Sequence, residues 1–192
     1  MKSCAALIIL GGWSAAQAQK PPAPQDSKTA RAQPSFLGPC SNVPCEILND
    51  WQRNNAVFYM LAGAMPEDKY GFKPVPEEQS FGERVLHVAQ VNVQLVKTLG
   101  AKTPAPDIDP KATSKTASMA AVQKAGEYGT AVIKEFSEPQ LMERVGSPFF
   151  MGPMATRQRI LYFLMMHTQD TYGQLVVYLR LNGITPPLSR TP

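Results

Sequence analysis

Apolar positions recur at spacings of three and four along most of the chain from residue 46 onward, the period of helices that bury one face. Four helical segments follow from that pattern. The first runs from about 46 to 64, with Trp51, Val57, Phe58 and Leu61 among its apolar residues. The second opens at Ser80-Phe81-Gly82-Glu83, a capping-box sequence whose serine and glutamate satisfy free backbone donors. It runs to about Leu99, stops at Gly100, and is apolar on most sides (Val85, Leu86, Val88, Val91, Leu95, Val96). The third, about 114 to 136, is rich in alanine but carries Gly126 and Gly129, each costing about 1 kcal/mol of helix propensity. The fourth starts near Ala155 or Thr156 and ends at Asn182, where Gly183 and then Pro186-Pro187 prevent continuation. Proline- and glycine-containing connections separate them, and the longest, 138–153, has room for a short hairpin-like piece. Four long helices without a run of strands predict an all-α, antiparallel four-helix bundle over residues 45–188.

The chain before residue 45 has a different character. Residues 1–18 combine Met1-Lys2, a short apolar run from Ala5 to Trp13 and the small-x-small sequence Ala16-Gln17-Ala18. That is the architecture of a secretory signal peptide, too short to span a bilayer. Cys4 lies inside it without a lipoprotein pattern at the cleavage point. The expected product is exported, periplasmic or secreted, with no stable membrane insertion after cleavage. Residues 19–44 lack apolar periodicity and read as a flexible, proline-rich leader. Cys40 and Cys45 then pair naturally as a disulfide in an oxidising compartment. Their loop is short, so the stabilisation is on the order of 2 kcal/mol or less. Net charge is only +4, and no Lys/Arg cluster of the kind that neutralises phosphates is present, which argues against nucleic-acid binding.

Candidate chemistry centres on the two histidines of the chain, His87 and His167. Ile160, Leu164, His167, Thr171, Gln174 and Tyr178 make one stripe on the fourth segment, with His167 and Thr171 one turn apart. Glu83 and His87 are one turn apart on the second. If the stripes face each other, Glu83, His87, His167 and Thr171 border one polar pocket. The ordinary role of an imidazole in a buried helix is that of a hydrogen-bonded core residue, and two histidines without a third partner do not make a stable metal site. Asp170 lies three residues from His167, but no serine has a nucleophile context, so a Ser-His-Asp triad is not indicated. Met151, Met154, Met165 and Met166 read as fillers of irregular core gaps. Tyr172 and Tyr178 line either the pocket or a dimer seam.

Ser80-Phe81-Gly82 leading to His87-Val88-Ala89 and Asn92, then His167 and the stretch Tyr172 to Pro187, resemble the DinB superfamily of DinB/YfiT-like proteins. The resemblance covers residues 46–188 and is most specific at the C-terminal end. It implies an up-down-down-up bundle, often a homodimer. It also implies a divalent ion, zinc or nickel, held by one histidine of the second helix and a His-x-x-x-His pair of the fourth. Some relatives are thiol-dependent transferases or isomerases. Carried over, His87 matches the first ligand and His167 the second, while Thr171 stands at the third position. A threonine hydroxyl replaces imidazole poorly, and losing one of three ligands costs several kcal/mol of metal affinity. Three states follow: a metal-free polar core, a site completed by Glu83 or Asp170, or a weakly bound metal on two histidines and water. The expectation is an exported bundle with a degenerate metal site, non-catalytic or of unknown activity, its small-molecule ligand unidentified. The alternative is a metal-dependent hydrolase or thiol-dependent transferase using His87 and His167.

Overall fold

The structure, a computed structural model, describes residues 38–190. The signal segment and most of the leader lie outside the described residues. The first helix, α1 (Val43–Ala64), begins before the expected residue 46, because Asn42 caps it by accepting the Cys45 backbone N–H and Pro44 occupies the first turn. The Cys40–Cys45 disulfide forms and straddles this helix start. A connection through Tyr70 leads to α2 (Phe81–Lys97), whose capping box forms as the sequence predicts: Ser80 Oγ accepts from Glu83 N, and a Glu83 carboxylate oxygen accepts from Ser80 N at 2.6 Å. Then come α3 (Lys115–Ile133), a short α4 (Glu138–Met142) and α5 (Arg157–Leu181), which is the predicted fourth helix. Gly100 and Gly183 adopt positive φ after α2 and α5, the backbone that stops both helices. The connection before α5 holds the hairpin-like piece, β1 (Arg144–Gly146) paired antiparallel with β2 (Met154–Thr156), Val145 opposite Ala155.

Contacts fix the direction of each long helix. The Trp51 indole N–H, early in α1, donates to Gly126 O late in α3, and Lys115 at the start of α3 donates to Gly63 O and Met65 O, so these helices are antiparallel. Gly82 of α2 lies against Thr113, just before α3, so α2 and α3 run parallel. Arg84 near the start of α2 reaches Tyr178 near the end of α5, so those two are antiparallel. Asn54 of α1 donates to Met165 O and Lys69 to Asn182 O, so α1 and α5 are parallel. The order is up, down, down, up. Because α2 and α3 are parallel, the chain between them must return along the whole length of α3, about 28 Å for 19 residues. Residues 98–114 do this: Glu135, just past the end of α3, accepts from Lys102 N and Thr103 N, and ten residues later Thr113 packs beside Gly82.

Two apolar clusters fill the interior. One joins Phe58 and Leu61 with Phe81, Val85, Leu86, Val122, Leu175 and Leu179. The other joins Trp51 with Leu95, Val96, Val132, Ile160, Leu161 and Leu164. Three of the long helices also bury polar side chains that include Asn54 on α1, Asn92 on α2, and Thr168 and Thr171 on α5. His167 is half-buried beside them in sequence on α5. Met154 and Met166 do not fill core gaps as expected; Met166 is 67% exposed and Met154 also faces solvent, whereas Met151 is buried.

Gly129 permits the closest approach of α1 to α3, since a Cβ there would overlap the Trp51 indole ring. Gly129→Ala is expected to destabilise the fold by about 2–3 kcal/mol through overpacking. Gly173, exposed on α5 with open space around it, should instead gain about 1 kcal/mol on substitution by alanine. Urea unfolding of both variants checks this; equal effects would show that the Trp51 contact is not tight.

Candidate functional site

The antiparallel packing of α2 on α5 brings His87 and His167 face to face. Their Nε2 atoms are 3.2 Å apart, with ring centroids at 5.2 Å and planes inclined by 62°. One nitrogen must donate and the other accept. The Nδ1 of His167 is buried without a protein partner. Were His167 protonated there, a buried N–H would be orphaned, which costs more than an unused lone pair. The tautomer that leaves no orphaned N–H has His167 protonated on Nε2 and donating to His87 Nε2, with the Nδ1–H of His87 outside the pair. Burial lowers the pKa of both rings; Arg84 adds to the effect on His87 and His87 to that on His167, while Asp170 partly opposes it. Both imidazoles are neutral at pH 7.

The other predicted site residues sit elsewhere. Thr171 is buried, 4% exposed, and its hydroxyl donates back to His167 O at 3.1 Å, a local bond that turns it toward its own helix. The Glu83 carboxylate is committed to the helix cap and lies 3.7 Å from Lys73, an environment that lowers its pKa chiefly through the Ser80 hydrogen bonds. Asp170 is exposed and accepts from Gln174. Among the described residues no three His, Cys, Asp or Glu side chains gather as a metal-ligand group. The single polar pocket expected for Glu83, His87, His167 and Thr171 is instead divided. His87 and His167 border a cleft of about 680 Å³; Glu83 and His87 border a smaller recess of about 400 Å³ with Gln79, Gln90 and Lys111; Thr171 borders neither. Two imidazole nitrogens on one tetrahedral ion would stand about 3.3–3.4 Å apart, so the spacing of the pair suits two metal bonds as well as a hydrogen bond. What is missing is the rest of the donor set, and an acceptor on His167 Nδ1 that would orient it as a ligand.

Two features escaped the sequence reading. One is Arg84, a turn before His87, which donates to the Tyr178 hydroxyl at 2.8 Å, to Gln174 and to Glu78. Burial opposes its charge, but the bonds to Tyr178 and Glu78 outweigh that and raise its pKa. Tyr178 in turn donates to Gln79 O at 2.8 Å and is buried inside the bundle. A cation inside the apolar run of α2 was the available signal. The other is the row of rings supplied by the hairpin: Phe149 to Phe150 at 5.6 Å, Phe150 to Phe163 at 5.0 Å, and Phe163 stacked on His167 at 6.2 Å.

With this geometry in view, three comparisons bear on ancestry. The family model described as the DinB superfamily matches residues 50–175. A DinB-like protein from Bacillus cereus is similar in structure, with a TM-score of 0.62 at 18% identity, over 73% of this chain and 93% of that one. A DinB-like protein from Bacillus subtilis gives a TM-score of 0.57 at 20% identity, over 72% and 92% respectively. No curated protein matches at a significant level.

The depressed imidazole pKa values have a thermodynamic consequence. Protonation is easier in the unfolded chain, so the pair's contribution is complete above about pH 6.5 and is lost as pH falls through the lower folded-state values. The chain has only these two histidines, so they dominate side-chain titration in this window. Stability should fall between about pH 6.5 and 5, and the double variant His87→Asn/His167→Gln should flatten that slope. Denaturant unfolding across the range measures it; an unchanged slope would contradict the assignment.

Proposed function

The chain belongs to the DinB superfamily, and from that premise we propose that it is a non-catalytic binding member whose ancestral metal centre has lapsed into a hydrogen-bonded histidine pair. The observation that carries the reading is the direct His87–His167 contact, with the position one turn beyond His167 filled by a threonine whose hydroxyl is spent on its own helix. The two carboxylates nearest in sequence are engaged elsewhere, Glu83 in a cap and Asp170 with Gln174. Neutral imidazoles and an adjoining cleft remain, which suits reversible binding of a small molecule. The signal-like start and the Cys40–Cys45 disulfide support a role outside the cytoplasm.

A second reading draws on the 3.2 Å spacing, which suits two bonds to one ion. In it the pair and water hold a divalent metal weakly, for hydrolysis or thiol-dependent transfer. Zinc and nickel titrations separate the two. The unmodified protein should bind neither metal tightly, and Thr171→His should raise affinity on the order of a hundredfold and raise the melting temperature in added metal. Tight, stoichiometric metal in the unmodified protein would overturn the lapsed-site reading. Failure of both forms to bind would show that position 171 does not face the pair.

A further inference from the structure

The cleft beside the histidine pair is lined mostly by apolar and aromatic side chains. Its floor is Val91 and Leu95 of α2 and Phe163 of α5, and its wall is the hairpin turn, where Phe149 and Phe150 stand between Pro148 and Pro153. No Asp, Glu, Lys or Arg lines it. Phe149 is 93% and Phe150 54% exposed, a large apolar area to leave in water at the tip of a turn. The turn is nevertheless held in place: Ser147 Oγ donates to Gly152 O, Arg144 to Met154 O, and Gly152 takes the positive φ that closes it. Arg157 secures its base through Leu99 O, Gln140 O and Glu143. The exposed rings are thus presented by an anchored element. The hydroxyls at the rim are already used, Ser147 on Gly152 O and Thr98 on Leu95 O, so the polar groups left at the cleft are the histidines and the exposed amide of Gln94.

We propose that this cleft is the binding site for an uncharged, flat aromatic molecule that carries a hydrogen-bond acceptor. Its ring system lies against Phe150 and Phe163, and its acceptor is directed to the imidazole edge of His87. The absence of charged lining residues disfavours an ionic ligand, since a buried charge without a partner is costly. Offset and edge-to-face ring contacts at 5.0–6.2 Å continue from the hairpin to His167 and offer a further ring a stacked place. A volume of about 680 Å³ accommodates a molecule of two or three fused or linked rings. This inference rests on the proposed reading of the pair as metal-free.

The test uses prodan, an uncharged naphthalene ketone whose emission shifts to the blue in apolar surroundings, titrated into the chelator-treated protein. One prodan per chain is expected, with Kd on the order of ten micromolar. Phe150→Ser should weaken it at least tenfold; Tyr59→Ser, in the separate groove between α1 and α3, should leave it unchanged. The related naphthalene sulfonate ANS, which is anionic, should bind at least tenfold more weakly. Equal binding by the Phe150 variant, loss with the Tyr59 variant, preference for ANS, or no binding with or without zinc would overturn the cleft assignment. Binding that requires zinc but is still lost in Phe150→Ser would uphold the cleft and contradict the metal-free pair.

Discussion

Polar side chains inside a helical bundle cost stability unless their donors and acceptors are met. Here Asn54, Asn92, Thr168 and Thr171 are buried and His87 and His167 half-buried, and Asn92 Oδ1 has no protein partner. Asn54 is satisfied by Met165 O and Gln169, and Thr171 by His167 O. The contact between His87 and His167 ties α2 to α5, together with the Arg84 bonds to Tyr178 and Gln174. It needs one ring to keep a free lone pair, and burial favours the neutral form of both. The antiparallel sense of α2 and α5, seen in the Arg84–Tyr178 bond, is what lets the two rings meet.

The three-histidine arrangement expected from the family resemblance and the observed pair differ at position 171. Thr171 occupies a position from which a longer side chain would point along the stripe of His167, and its short hydroxyl turns back to the helix instead. Arg84, one turn from His87, supplies a positive charge that further disfavours imidazolium there. A resident cation would have to tolerate that guanidinium as well as the missing ligand. The hairpin rings then give the neutral pair an apolar forecourt.

Much of this was legible in the sequence because local chemistry and burial agree. The Ser80–Glu83 capping box set the start of α2, Gly183 set the end of α5, and the stripe through Leu164, His167 and Thr171 placed the histidine against α2. The same capping box also committed Glu83 to the backbone, a consequence that conflicts with a ligand role and that helix spacing alone does not reveal. Asn42 and Pro44 signalled a helix start three residues early, masked by the cysteine loop that shares those positions. Hydrophobicity could not separate Met151, which is buried, from Met154 and Met166, which are not, because methionine is compatible with both environments. Phe149 and Phe150 lie in a loop, where periodicity has no meaning, so only the folded hairpin reveals that they face the histidines.

A single proton lies between the two imidazole Nε2 atoms of the pair. Long-range proton–nitrogen NMR of imidazole-labelled protein, at pH 7 with chelator present, observes it directly. The expected spectrum has two neutral rings of opposite tautomer, His167 protonated at Nε2 and His87 at Nδ1. Two rings of the same tautomer, or an imidazolium at either position, would contradict it.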